Sequence, residues 1–162
     1  MIRGKFRSIA AASFPAILLL ATLACSGGAE YLALQKFFEA SRLRDRTALR
    51  NISTVSFDPM ADGTLTTFKI TSLGPEQSQP LGSNPSAIRV AELSLSDPRR
   101  PLDVSRAEGE LVSKDVRISA DVRLPNGQTA RRTVSVVLQR AVVKGDLEVT
   151  GRWIVTGFVM HG

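Results

Sequence analysis

The feature that most constrains this chain is the run Val116-Arg117-Ile118-Ser119-Ala120-Asp121-Val122-Arg123-Leu124. Apolar and polar residues alternate at every step. An extended strand sends successive side chains to opposite faces, so this pattern gives it one dry face and one wet face. Pro125-Asn126-Gly127-Gln128 follows, and Asn-Gly is the strongest short-range signal for a hairpin turn. Residues 133–143 then run back, with Val134, Val136 and Leu138 on one face and Ser135, Val137 and Gln139 on the other. Lys144-Gly145-Asp146 reads as the next reversal. Residues 152–159 read as a last strand, with Trp153 and Val155 opposite Ile154, Thr156 and Phe158; spacing does not decide which of those faces is inward. The first strand is expected to reach back to Gly109, with a bend over 110–114.

A sheet with one apolar face needs a cover, and the earlier chain supplies one. Residues 30–46 read as a helix with Tyr31, Leu34, Phe37, Phe38 and Ser41 on one stripe. Asp45 suits the N-cap of a short second helix over 46–52, which would turn Leu49 and Ile52 to the core. Residues 54–57 look strand-like, Asp58-Pro59 starts a turn, and Asp62-Gly63 suits a primed hairpin turn. Residues 64–73 are strand material, expected to turn Thr66, Phe68, Ile70 and Ser72 inward. The Gly- and Pro-rich stretch 74–85 reads as an exposed loop and 88–95 as another strand, ended by Asp97-Pro98-Arg99-Arg100-Pro101. Residues 102–108 fit either a connector or one helical turn. Helices followed by a mainly antiparallel sheet make an α+β domain.

The N-terminus has a different character. Arg3, Lys5 and Arg7 precede an apolar run over 9–24, interrupted only by Ser13, Pro15 and Thr22, and small residues follow. That is the layout of an export signal, shorter than the roughly 20 residues a spanning helix needs. Those three cations supply half of the chain's +6 net charge. The remainder has an ordinary charge, and a nucleic-acid partner is not expected. A cysteine at the end of such a run resembles a bacterial lipoprotein signal. Ala24 matches that pattern, while Thr22 and Leu23 stand where Leu and a small residue are usual. The resemblance implies lipid attachment (palmitate among the acyl groups) at Cys25. The membrane would then be a partner through an N-terminal lipid anchor facing the periplasm, and Ser26 resembles the outer-membrane choice over the inner. The chain then divides into a signal over 1–24, lipid attachment and a short tether over 25–29, and one domain over 30–162. A single cysteine allows no intrachain disulfide.

Two segments carry a further resemblance, Phe37-Phe38-Glu39-Ala40-Ser41-Arg42-Leu43-Arg44-Asp45-Arg46-Thr47-Ala48-Leu49 and Gly151-Arg152-Trp153-Ile154-Val155-Thr156-Gly157-Phe158. The first is similar to the end of the opening helix, and the second to the last strand, of the NTF2-like (SnoaL-like or cystatin-like) superfamily. The resemblance implies a curved, cone-shaped sheet around a pocket; the insertion over 75–101 and the short link between helices and sheet depart from it. The alternatives are another small α+β periplasmic domain or a partly open barrel. Enzymes of that superfamily use a pocket Asp or His as base, with Tyr or Asp as oxyanion partner.

The residues themselves offer little such chemistry. His161 lies in the tail, and Asp58 and Asp62 read as turn residues. Asp121 shares a polar strand face with Arg117 and Arg123, which suits cross-strand pairing. Tyr31 reads as a packed aromatic with its hydroxyl at the rim. One Cys and one His give little material for a metal centre, and no glycine cluster forms a phosphate loop. The basic clusters Arg42-Arg44-Arg46, Arg99-Arg100 and Arg131-Arg132 read as solvated surface, with anionic headgroups as the functional option. No catalytic, cofactor or metal site is expected. The reading is a non-enzymatic, membrane-tethered envelope domain binding a partner protein or small apolar ligand. The alternatives are a structural subunit of an envelope assembly, with 74–101 as docking loop, or an NTF2-like enzyme acting on a hydrophobic substrate.

Overall fold

The computed structural model describes residues 27–97, 104, 108–145 and 148–161. The expected signal over 1–24, Cys25 and the pair Arg99-Arg100 lie outside them. The chain runs α1 (Gly28–Leu43), α2 (Arg46–Ile52), β1 (Thr64–Leu73), β2 (Gln77–Pro80), α3 (Pro85–Ser94), β3 (Gly109–Arg123), β4 (Thr129–Val143), β5 (Val149–Thr150) and β6 (Ile154–His161).

The alternating run sits in β3, which pairs with β4 from Gly109↔Val143 to Arg123↔Thr129 without a register shift. No bulge interrupts the ladder over 110–114, where a bend was expected. Asn126-Gly127 forms the turn, but only Gly127, at φ 83°, is left-handed there. The turn is therefore not the two-residue primed kind, which needs positive φ at both central residues.

β1 and β2 line one edge of β3, while β6 and β5 line the far edge of β4. All these pairs are antiparallel, and one isolated parallel bridge joins Ser53 to Val155. The sheet is open and not strongly curled, with β1 and β6 on opposite edges. This overturns the NTF2-like cone. What stands is α+β with an open sheet. The membrane and lipoprotein readings gain nothing from the folded part either: among the described residues no helix is long and apolar enough to cross a membrane.

One sheet face is apolar over most of its length. Val112, Val116, Ile118, Ala120 and Val122 of β3 and Val134, Val136 and Leu138 of β4 pack against Leu34, Phe37 and Phe38 of α1. The α1–α2 junction lacks glycine because Arg44 itself adopts the left-handed cap at φ 54°, while Asp45 Oδ1 accepts the Ala48 N–H at 2.9 Å as expected. Register shifts at both ends of β1 change its phase. Leu65, Phe68, Ile70 and Leu73 therefore face the core, and Thr66 and Ser72 do not.

The largest correction concerns 74–95. The expected loop contains β2, and its one apolar residue, Leu81, is buried. The expected strand over 88–95 is the helix α3. Asn84-Pro85 is the helix start, with Asn84 Oδ1 accepting the Ser86 N–H at 2.9 Å and Pro85 in the first turn. Val90, Ala91 and Leu93 then pack on Leu111, Ala141 and Ile154, on the sheet face opposite α1. The described part of the supposed docking loop is thus woven into the fold. Residues 54–57 form no strand: the isolated parallel bridge is made by Ser53, and the Thr54 N–H donates to Val155 O at 3.0 Å.

Candidate functional site

The β3–β4 pair has two unlike ends. At the turn end, one face is covered by α1 and the other carries Arg117, Ser119, Asp121, Arg131, Thr133 and Ser135. At the end around Gly109 and Val143, α3 covers the second face too, and a chain of charges lies beneath the start of α1.

That chain begins with the parity of the strands. Lys114 shares its face of β3 with Val112 and Val116, and Arg140 shares its face of β4 with Leu138 and Val142. Both cations therefore point toward the α1 side, where a charge needs a partner. Lys114 Nζ donates to Glu30 Oε1 at 2.6 Å and to Glu76 Oε1 at 3.0 Å. Glu76 in turn accepts from Arg140 Nη2 at 3.3 Å. Glu30 sits in the first turn of α1, where a carboxylate also suits the helix dipole.

Only 12 % of the Lys114 side chain and 7 % of Glu30 reach solvent, so this pair is a buried one. Burial alone would lower the Lys114 pKa, but the hydrogen bonds and charges of Glu30 and Glu76 outweigh it and hold the pKa above the ordinary value. Glu76 is pulled below its ordinary value, chiefly by the Lys114 hydrogen bond and also by Arg140.

Trp153 lies over both cations. Arg140 Cζ is 4.4 Å and Lys114 Nζ 5.3 Å from the ring centroid, both within cation–π range. The indole is placed by a tight joint between α3 and the chain before β6. Ser94 Oγ accepts the Ala141 N–H at 3.0 Å and donates to Arg152 O at 2.8 Å, while Arg152 N donates back to Ser94 O at 3.0 Å. A Cβ on Gly151 would meet the Ser94 carbonyl carbon at 2.9 Å, so only glycine fits there.

On the outer side of Trp153 a cleft of about 200 Å³ opens between the first turns of α1, the end of α2 and the chain before β6. Ala29, Leu32, Ala33, Ile52 and Trp153 give it apolar walls, and Lys36, Arg140 and Arg152 bring cations. Leu32 stands 48 % exposed at its mouth, one of three exposed large apolar side chains on α1 with Tyr31 and Leu43. Larger hollows exist, of about 460 Å³ beside Tyr31 and Phe68 and about 660 Å³ beside the start of α3. Their linings are mostly polar, with Gln35, Glu39, Thr66 and Thr67 in the first and Gln79, Asn84, Ser86 and Gln139 in the second.

The residues singled out from sequence lie elsewhere. Asp58 and Asp62 close their own turn: Asp58 Oδ1 accepts from Met60 N, and Asp62 Oδ2 from Asp58 N. Asp121 accepts from Arg131 Nε at 3.0 Å and Thr67 Oγ1 at 2.9 Å on the wet face, and the Arg131 and Thr67 hydrogen bonds lower its pKa. Arg117 and Arg123 are exposed on that face. His161 Nε2 lies 2.9 Å from Ser135 Oγ. Tyr31 is 45 % exposed, its ring 5.0 Å from that of Phe68. None of these joins another into one site. Among the described residues no cluster of three or more His, Cys, Asp or Glu could hold a metal.

Sequence reading missed Glu30, Lys36, Glu76, Lys114, Arg140 and Arg152. A signal was present for two of them: Lys114 and Arg140 are charges at strand positions whose neighbours in phase are all apolar. The NTF2-like resemblance finds no support here either, since comparison with protein-family models, curated proteins and solved structures gives no match.

Proposed function

We propose that this chain is an exported, non-enzymatic domain of the bacterial cell envelope that binds a small apolar ligand in the cleft over Trp153. The observation that carries the reading is that cleft: an apolar hollow floored by an aromatic ring, flanked by a half-exposed leucine and fixed by the Ser94 joint. Beneath it Lys114, Glu30, Glu76 and Arg140 are engaged in one another, forming a balanced chain of two acids and two bases. Such a chain holds α1, β3 and β4 together and positions the ring. It offers no free base beside the apolar walls, as acid–base chemistry requires. The export reading rests on Arg3, Lys5, Arg7 and the apolar run over 9–24.

The test is native mass spectrometry of protein purified from its own envelope fraction. The wild-type chain is expected to carry a small added mass, and Leu32→Arg, which fills the mouth from an exposed helix position, is expected to lose it while remaining folded. A chain found in the cytoplasm, or an added mass untouched by Leu32→Arg, contradicts the proposal.

A further inference from the structure

The cleft's charge goes further than its shape. Resting on the ligand-binding reading above, we infer that its occupant is an apolar anion: a slim aliphatic chain or single ring ending in a carboxylate or a similar acid. Among the described residues that line the cleft, three are cationic and none is acidic. The three reach it from separate elements, Lys36 from α1, Arg140 from β4 and Arg152 from the chain before β6.

Their electrostatic circumstances differ. Arg140 shares Glu76 with Lys114, so its charge is partly met, yet its Nε–H is buried and has no hydrogen-bond acceptor. Arg152 Nη2 donates to Asn51 O at 2.9 Å and Ser96 Oγ at 2.7 Å, neutral acceptors that orient the guanidinium without cancelling its charge. Lys36 stands exposed on the α1 surface, one helical turn beyond Ala33 and Leu32. Apolar walls with cations of this kind are complementary to a molecule with an apolar body and one acid group. A cationic amphiphile meets repulsion, and a neutral one leaves the cations without a counter-charge. The volume, about 200 Å³, is below the roughly 300–1,000 Å³ of drug-sized pockets, which limits the body to one slim chain or one ring.

Trp153 is the chain's only tryptophan, so its emission reports on this cleft. The full chain is titrated with octanoate, 1-octanol and octyltrimethylammonium, three probes with the same tail and different heads. Octanoate is expected to change the emission saturably and to bind about tenfold or more tighter than octanol, the worth of one charge-assisted hydrogen bond. The ammonium probe is expected to bind more weakly than either. Arg152→Ala and Lys36→Glu, checked for native circular dichroism, are each expected to weaken octanoate about tenfold and octanol far less. Lys36→Glu changes an exposed helix position, so it carries the test if Arg152→Ala loses its fold. Equal affinities for octanoate and octanol, or an octanoate affinity untouched by Lys36→Glu, overturn the anion inference while leaving the apolar cleft in place. No saturable response to any probe by the folded protein overturns both.

Discussion

The two ends of the β3–β4 pair are made of the same strands and carry the same kinds of residue, yet they are different environments. At the turn end Asp121 meets Arg131 at 3.0 Å with 75 % of the arginine side chain exposed. At the other end Glu30 meets Lys114 at 2.6 Å with only 12 % of the lysine exposed. The first pair is an ornament of a wet face. The second holds a helix to a strand and supports the indole that floors the cleft. What separates them is cover: α1 lies over one face at both ends, while α3 closes the other face at one end only. Position under a helix, more than residue type, decides what an ion pair contributes.

The largest expected effect that sharpens this contrast comes from Lys114→Ala. It leaves the Glu30 carboxylate buried without its partner, and chemical denaturation is expected to show a loss of about 3–5 kcal/mol. Replacing both partners, Glu30→Leu with Lys114→Met, is expected to recover most of that loss, because the penalty belongs to the orphaned charge. A double variant as unstable as the single one would show that the penalty does not come from the orphaned charge. Next comes Ser94→Ala, which strips the buried Ala141 N–H and Arg152 carbonyl of a partner. About 1–3 kcal/mol is expected, read as loosened hydrogen exchange in α3 with α1 unchanged.

How much of this was readable from the chain follows from which signals are local. The β3–β4 pair, α1, α2 and the Asp45 cap were legible because strict alternation, helical spacing and a capping residue act over a few neighbours. α3 was not, since Ile88, Val90, Leu93 and Leu95 mimic a strand when the Asn84-Pro85 start is read only as a loop. Glu92, the residue out of strand phase, marked the helix. The inward residues of β1 were missed because register shifts are set by the partner strand. Thr156 gives the same lesson: the register shift between Val137 and Leu138 sends Phe158 to the α1 side with Val155, although simple alternation separates them. The cleft joins residues 29 to 153, a closure no local pattern encodes.

Smaller effects follow pH. The Glu76 carboxyl titrates below its ordinary 4.5 in the folded chain, so its contribution is complete above 4.5 and is lost as pH falls through the folded value. Lys114 runs the other way: its contribution is complete below the ordinary 10.5 and is lost as pH rises through the raised folded value. Glu76→Gln is expected to flatten the acid limb of a stability–pH curve modestly, since 41 % of that side chain is exposed. An unchanged acid limb would remove Glu76 from the chain of charges. The smallest effect is expected at the turn end, where Asp121→Asn should leave the thermal midpoint in place; a clear drop would erase the difference between the two ends.

We propose the covered end of the hairpin, at Trp153, as the place where this domain takes its ligand. Mapping backbone and indole chemical shifts on an isotope-labelled full chain during an octanoate titration tests that claim most directly. Shifts concentrated at Leu32, Lys36, Ile52, Arg152 and the Trp153 indole are the expected result. Shifts centred on Arg117, Asp121 and Arg131, or on the hollow beside Tyr31, would contradict it.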